Sequence, residues 1–249
     1  MELLFEDEHH RNYWLDDFGH GLAVQANQHM IVHRDHALIL DPGGHKAYKS
    51  TLSQVAGLIP MSQLKHLFLS HQDPDIVAAV NGWLLSSDAV AWCSALWVRF
   101  VPHFGLDNLV ADRLHPIPDE GMILDLNGAP LQILPAHFLH SVGNFHLYDP
   151  ISKILYSGDL GASIGMDYHF VQDFEAHRQY MEPFHVRYMA CNKAMRAWAD
   201  MVAQLEIDMI VPQHGAAFRG EEMVSRFLDW CRELQCGIDV MTSIYRLPA

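Results

Sequence analysis

Cysteine and basic side chains are scarce in this 249-residue sequence. The four cysteines form no CxxC pair, which excludes a rubredoxin-like iron site and indicates reduced thiols in a cytoplasmic protein. Lysine and arginine total 16 against 30 aspartates and glutamates, so the formal net charge is -14. Because an acidic surface repels phosphate backbones and anionic lipids, we expect neither nucleic acid nor a membrane surface as a partner.

Long hydrophobic runs are also missing. The N-terminus, MELLFEDEHH, is acidic where a signal peptide needs a basic start. The most apolar later stretch, VAWCSALWVRFV, is too short for a membrane span and contains Arg99. Half of the residues are hydrophobic and no Pro/Gly/Ser-rich linker divides them, so we expect one α/β domain over residues 1–249.

Histidine, in contrast, is abundant, with 18 residues. Histidine is the commonest metal ligand, so the excess favours a metal site. Most of these residues are nevertheless interpreted as structural or surface side chains, because they have no ligand-like context: His9, His10, His29, His33, His36, His66, His115, His146, His177 and His185.

Short apolar runs alternate with amphipathic stretches along the chain. The alternation predicts strands within residues 21–44, 64–71, 89–93, 121–136, 144–159 and 207–215. Helical spacing is found in residues 76–87, 193–205 and 220–236. The stretch SALWVRFVPHFG, residues 94–105, is also predicted to be a helix, ended by Pro102 and Gly105.

Ligand-type side chains follow four of the predicted strands: His71, Asp73 and Asp75 after the first, His140 after the second, Asp159 after the third and His214 after the fourth. Sites of open sheets form at the carboxyl ends of strands, so these residues are expected to converge. Zinc hydrolase sites favour imidazole and thiolate, whereas three histidines with three aspartates suit two non-haem irons. The chemistry therefore favours a redox site over a hydrolytic one.

The motifs SHQDPD, LHSVGN, YSGDLG and PQHG, in this order, resemble the metal-binding motifs of the metallo-β-lactamase fold, including its HxHxDH signature. A carboxylate at the third position, here Asp73, is typical of flavodiiron proteins. The stretches HQDPD and YMEPFHVRYM are similar to the stand-alone oxygen-binding diiron relatives, which lack the flavodoxin module. The resemblance implies a four-layer αββα sandwich and a head-to-tail homodimer.

Carried over to this sequence, the resemblance implies that His71, Asp73 and His140 hold one iron. It assigns Asp75 and His214 to the second iron, with Asp159 bridging the pair. The family's remaining ligand is a histidine directly after the last aspartate of the first motif, where this chain has Ile76, which cannot bind a metal.

The sequence leaves two questions about the ligands open. Water, an exogenous molecule or another histidine could take the place left at Ile76, with His45, His20 and His169 as candidates. His137 competes with His140 for the ligand position, and the Ser-x-Gly that follows His140 favours His140, with His137 as a supporting residue.

Two functions from different classes follow from the resemblance. The protein binds dioxygen or nitric oxide at two irons as a sensor that signals through a partner protein, or it reduces these gases with electrons from a separate partner. A metal-dependent hydrolase is the third alternative. The sequence has no glycine-rich phosphate loop, so we expect no flavin bound by this chain itself.

Overall fold

The computed structural model describes residues 1–15 and 25–248, and within them two β-sheets lie face to face. The first sheet has seven strands in chain order: β1 (Glu2–Glu6), β2 (His10–Trp14), β3 (His29–His33), β4 (His36–Leu40), β5 (Leu64–Phe68), β6 (Val90–Ser94) and β7 (Leu114–Ile117). The second has six: β8 (Met122–Leu126), β9 (Ala129–Pro135), β10 (Phe145–Asp149), β11 (Ile154–Tyr156), β12 (Met209–Val211) and β13 (Phe218–Arg219).

Helices cover the outer face of each sheet. They are α1 (His45–Leu58), α2 (Pro74–Val77), α3 (Val80–Ser86), α4 (Phe174–Tyr188), α5 (Asn192–Val202), α6 (Glu221–Glu233) and α7 (Ile238–Met241). Three buried apolar clusters separate the layers: one between α1–α3 and the first sheet, one between the sheets, and one between the second sheet and α4–α6. The expected αββα sandwich is therefore confirmed. Among the described residues, no helix is long and apolar enough to cross a membrane.

Strand β3 shows how the sequence builds two cores from one strand. Its five residues are all buried, and successive side chains point to opposite faces. Met30 and Val32 pack beneath α1–α3, whereas Ile31 packs between the two sheets. Residues 30–32 are accordingly all apolar, and they lie between the buried His29 and His33.

Strand direction brings the predicted ligands to one edge. Strand β10 is antiparallel to both β9 and β11, and β12 is parallel to β11, so β9, β11 and β12 run the same way. Their carboxyl ends therefore lie at the same edge of the second sheet. The first sheet joins them there, because the Phe145 N–H donates to the Ser70 carbonyl over 2.9 Å, just beyond the end of β5.

The helix predicted over residues 94–105 is wrong. Residues 95–100 form successive turns, in which most backbone hydrogen bonds join residues three positions apart. Only residues 101–104 form a short 3-10 helix. Pro102 lacks a donor for a longer helix, and Gly105 ends the segment at a φ of 89°. Helices α1 and α4 were not predicted from periodicity, because α4 contains Pro183 and neither has a strongly apolar face.

A buried polar network joins the two sheets away from the predicted ligands. The Oδ2 atom of Asp149 on β10 lies 2.7 Å from His10 Nε2 and accepts from Asn12 Nδ2 and Ser152 Oγ, also at 2.7 Å. Asn12 also donates to the Tyr156 hydroxyl over 3.0 Å. Burial would raise the pKa of Asp149, but these hydrogen bonds outweigh it and hold the pKa below its usual value. The network joins β2 to β10 and β11 through hydrogen bonds.

Replacing Asp149 with asparagine is expected to lower the free energy of unfolding by about 3 to 5 kcal/mol, because the new amide would direct N–H groups at buried donors. The loss should shrink as the pH falls below about 4, because the ionised Asp149 stabilises the fold only above its folded-state pKa. Denaturant unfolding at several pH values measures both effects. Asp88→Asn, on the surface, is the control and should change stability by at most about 0.5 kcal/mol. Equal stability of the two variants would contradict the stabilising role of the buried polar network.

Candidate metal centre

The first group of predicted ligands converges after β5 and β9. The Nε2 atom of His71 lies 3.7 Å from Asp73 Oδ2, and that of His140 lies 3.6 Å from the same oxygen. Ligand atoms of these three residues all lie within 4.8 Å of one another, a spacing that one metal ion can span. Asp159, after β11, adds its Oδ2 at 3.0 Å from His140 Nε2 and 3.8 Å from His71 Nε2.

A second group lies on the other side of Asp159. His214, after β12, places its Nε2 3.4 Å from Asp75 Oδ2 and 3.4 Å from Asp159 Oδ1. Asp159 thus directs Oδ2 toward one group and Oδ1 toward the other. A carboxylate with one oxygen for each of two cation positions has the geometry of a bridge between paired metals.

Unpaired buried atoms in the cluster test whether metal ions fit there. His71 Nε2, His140 Nε2 and Asp159 Oδ1 are buried, and although polar atoms of the cluster lie 3.0 to 3.8 Å away, none of the three makes a hydrogen bond of acceptable geometry to the described residues. A buried polar atom without a partner costs about 1 to 3 kcal/mol, so such atoms are rare unless they serve a function. All three belong to residue types that commonly ligate metals, and all three face the inside of the cluster. The residues therefore fit a pair of cations.

Hydrogen bonds behind the ligands fix their orientation. His214 donates its Nδ1–H to the Gln25 carbonyl, which leaves the Nε2 lone pair for a cation. His71 Nδ1 lies 3.0 Å from Ser70 Oγ, which does the same for that ring. Both imidazoles therefore direct Nε2 into the cluster.

The orientation of Asp73 is set by a short polar chain. Ser141 Oγ donates to Gln72 Oε1 over 2.6 Å, and Gln72 Nε2 donates to Asp73 Oδ1 over 3.1 Å. Asp73 Oδ2 is left to face the imidazoles of His71 and His140. Sequence reasoning missed Gln72, although its position between two predicted ligands was a usable signal.

Charge inside the cluster is balanced by proton placement when no cation is bound. Burial would lower the pKa of His71, but the Asp159 and Asp73 carboxylates outweigh it and raise the pKa to about 9. Asp159 and Asp75 likewise raise the pKa of His214 against the effect of burial. Burial would raise the pKa of Asp159, yet His71, His140 and His214 hold it well below its usual value.

Cation binding should therefore release protons. Below a pH of about 9, His71 carries a proton on the nitrogen that a metal needs. We expect the affinity for Fe²⁺ to rise with pH up to that value, by about tenfold per unit for each proton released. Anaerobic calorimetry in buffers of different protonation enthalpy measures the release. Binding heats that do not depend on the buffer would contradict it.

The remaining histidine candidates lie outside the cluster. His137 donates Nε2–H to the Asp119 carbonyl over 2.8 Å. His169 is exposed, stacks on Trp14 and lies 3.3 Å from Glu2 Oε2. His45 is exposed at the first position of α1. His20 lies outside the described residues.

Ile76 turns away from the ligands. It is 0% exposed and belongs to the apolar core under the first sheet. Position 76 therefore gives the second group no imidazole, and the ligand-type side chains of this group among the described residues are Asp75, Asp159 and His214.

Aromatic side chains of α4 border the first group. Phe184 and Tyr188 stack with ring centroids 4.5 Å apart, and both meet the His140 ring edge to face, at 6.2 and 5.7 Å. Tyr188 remains 55% exposed and so lies at the surface above His140. The first group is thus covered by apolar surface on the side of α4.

Comparison with known proteins identifies the family. Residues 24–215 match the family described as ODP family beta lactamase. A structure of the peroxy diiron species of the chemotaxis sensor ODP is 40% identical, with a TM-score of 0.89, covering 98% of this chain and 100% of that one. The apo state of the chemotaxis sensor ODP from T. denticola is 39% identical, with a TM-score of 0.87 and 98% of both chains covered.

A more distant structure shares the fold alone. The rubredoxin oxygen:oxidoreductase from the anaerobe Desulfovibrio gigas is 15% identical, with a TM-score of 0.78, covering 93% of this chain and 61% of that one. A search of curated proteins found no match. The match over residues 24–215 and the 40% identity across nearly the whole length show the family directly. This chain belongs to the ODP family of proteins with the beta-lactamase fold.

Proposed function

We propose that this protein binds dioxygen at a two-iron centre and acts as an oxygen sensor. The observation that carries the proposal is the placement of Asp159, which directs one oxygen to each of two groups of ligands. The 40% identity to a chemotaxis sensor whose structure is described as a peroxy diiron species supports both iron and dioxygen.

The six clustered residues divide between two iron positions. His71, Asp73 and His140 would hold the first iron, Asp75 and His214 the second, and Asp159 both. Iron bound there supplies electrons to dioxygen, which zinc cannot do. Three carboxylates stabilise the oxidised metal, so they favour iron over zinc.

The surroundings of the cluster favour a small apolar ligand. Phe184 and Tyr188 shield the His140 side from bulk water, while Asp73 and Asp75 remain 36% and 39% exposed. In the part of the chain that the structure describes, the second group has three ligand-type side chains, and a set of three is typical of metal sites that bind an exogenous molecule. A gas can therefore approach from the side of the exposed carboxylates.

A sensor of this kind should react with oxygen once at each iron pair and should not turn over repeatedly. We propose that a protein partner detects the change, in keeping with the description of the relative as a chemotaxis sensor. A reductase of oxygen or nitric oxide would instead turn over repeatedly with electrons from its partner. Nitric oxide is the alternative ligand, because the same position would accept it.

Oxygen consumption by the iron-loaded protein separates these functions. Protein loaded anaerobically with Fe²⁺ should consume oxygen in proportion to its iron pairs and then stop, and with a flavin reductase and NADH it should add nothing to the consumption by the reductase and NADH alone. Continued consumption above that background would instead establish the reductase function. Hydrolysis of thioesters by the zinc-loaded protein, lost in His71→Ala, would favour the hydrolase and contradict both iron functions.

A further inference from the structure

The second iron position lacks the imidazole that the HxHxDH signature has directly after its last aspartate. Ile76 cannot supply it, since its side chain is buried in the apolar core. Among residues 1–15 and 25–248, three ligand-type side chains lie at this position: Asp75, Asp159 and His214. The structure places one more polar side chain beside them, that of Gln213.

The amide of Gln213 lies against the second group. Its Nε2 donates to Asp75 Oδ2 over 3.3 Å, and the same oxygen lies 3.4 Å from His214 Nε2. Gln213 is only 2% exposed. Since the two polar atoms of an amide are about 2.3 Å apart by covalent geometry, Gln213 Oε1 also lies within reach of this group.

The carbonyl oxygen of this amide is buried without a hydrogen bond. Within the part of the chain that the structure describes, Gln213 Oε1 accepts none. A buried amide oxygen left unpaired costs about 1 to 3 kcal/mol, so its retention needs an explanation. Rotating the amide by a half turn exchanges oxygen and nitrogen with little movement of other atoms, and the rotation breaks only the 3.3 Å bond to Asp75.

The backbone holds Gln213 in this place. Its N–H donates to the Gly158 carbonyl over 2.7 Å, next to Asp159, and its carbonyl accepts from the Asn27 N–H. Asn27 also donates its Nδ2 to the carbonyls of Pro212 and Gly215, at 2.9 and 3.0 Å. These hydrogen bonds hold the backbone of Gln213 close to Asp159 and His214, so its side chain starts beside the second position.

We propose that Gln213 takes the place of the missing imidazole and that its amide oxygen is a ligand of the second metal. A neutral amide oxygen binds a cation more weakly than imidazole does, so the second metal should be held less tightly than the first. The inference rests on the proposed two-metal centre and assigns a role to a residue to which the resemblance gives none.

Anaerobic titration with Fe²⁺ alone tests the assignment through affinity. Gln213→Leu should weaken binding of the second equivalent about 10- to 100-fold and leave the first unchanged. Gln213→Glu keeps the shape of the side chain and replaces the amide with an anionic oxygen ligand, so it should bind the second equivalent at least as tightly as the unaltered protein. Co²⁺ absorption, which depends on the number of ligands, should change in Gln213→Leu at the second equivalent only.

Two results would overturn the assignment. Unchanged affinity in Gln213→Leu would show that the residue is not a ligand. Weaker binding in Gln213→Glu than in Gln213→Leu would show that Gln213 acts only as a donor to Asp75. Circular dichroism and thermal unfolding without metal check that each variant folds, with the exposed Gln179→Leu as the control.

Failure of the proposed function gives a different result. An unaltered protein that binds only one Fe²⁺ would refute the two-iron centre itself. Two Fe²⁺ ions bound equally by the unaltered protein and by Gln213→Leu would refute only the role of Gln213.

Discussion

Replacing Asp159 with alanine is expected to abolish binding at both metal positions. Its Oδ2 lies 3.0 Å from His140 Nε2 and its Oδ1 lies 3.4 Å from His214 Nε2, so one substitution removes a ligand from each position. The carboxylate also neutralises charge shared by two cations, and without it they would repel each other across a short distance. We expect an affinity loss of at least about 100-fold at each position, measured as metal bound per chain after anaerobic dialysis against Fe²⁺.

Asp167→Ala provides a matched control for this loss. Asp167 is an exposed aspartate on the loop that follows Asp159, and it should retain the full metal content. Removal of a ligand from one position alone would leave the other metal in place, which distinguishes a bridge from an ordinary ligand. Retention of both irons by Asp159→Ala would contradict the bridging role.

The second large effect is expected at His140. Its Nε2 is buried without a hydrogen-bond partner and lies 3.6 Å from Asp73 Oδ2. His140→Ala should therefore lose the first metal, with an affinity loss of at least about 100-fold, while the second metal loses less because Asp75 and His214 remain. Iron content and Co²⁺ absorption distinguish a change in one position from a change in both.

His137→Ala is the natural comparison, because the sequence offers both histidines for the same role. The structure directs His137 Nε2 to the Asp119 carbonyl over 2.8 Å, away from the cluster. We expect this variant to bind two metals. If His137→Ala lost the first metal and His140→Ala kept it, the assignment of the ligands would be reversed.

The ligand-type residues were predictable because they follow strands. His71, His140, Asp159 and His214 each come after an apolar run, and strand periodicity is strong enough in short buried runs to reveal such positions. Sequence motifs then gave the order and spacing. The convergence itself depends on strand direction, since β9, β11 and β12 end at one edge only because β10 runs the other way between β9 and β11.

Other features depend on contacts between distant parts of the chain, which periodicity does not encode. The 2.7 Å contact between His10 and Asp149 joins residues 139 positions apart. The position of Gln213 beside Asp75 joins residues 138 positions apart. In the sequence, Asp149 and Gln213 resemble ordinary surface polar side chains. Only the packing of the two sheets brings them to His10 and Asp75.

The failed helix prediction over residues 94–105 has a local cause. Apolar residues in this stretch recur at helical spacing. Leu96 and Phe100 are nevertheless exposed, so these residues do not form one buried face of a helix. The Ser94 hydroxyl accepts from the Leu96 N–H over 3.2 Å, which favours a turn at the start of the segment. Apolar residues at helical spacing predict a helix correctly only where their side chains pack together on one buried face.

Ile76 gains a specific meaning from the structure. The sequence shows that an imidazole is missing, and the structure shows that the side chain in its place belongs to the apolar core. Apart from the amide that we propose for Gln213, the described residues give the second position three ligand-type side chains, against four at the first. An amide oxygen binds a cation more weakly than an imidazole does, so we expect an exogenous gas to bind at the second metal.

Mössbauer spectroscopy of protein loaded anaerobically with iron, before and after exposure to oxygen, tests the two-iron centre most directly. We expect about two irons per chain, high-spin ferrous before exposure and magnetically coupled afterwards, because Asp159 links them. About one iron per chain, or two irons that remain magnetically independent, would contradict a centre bridged by Asp159.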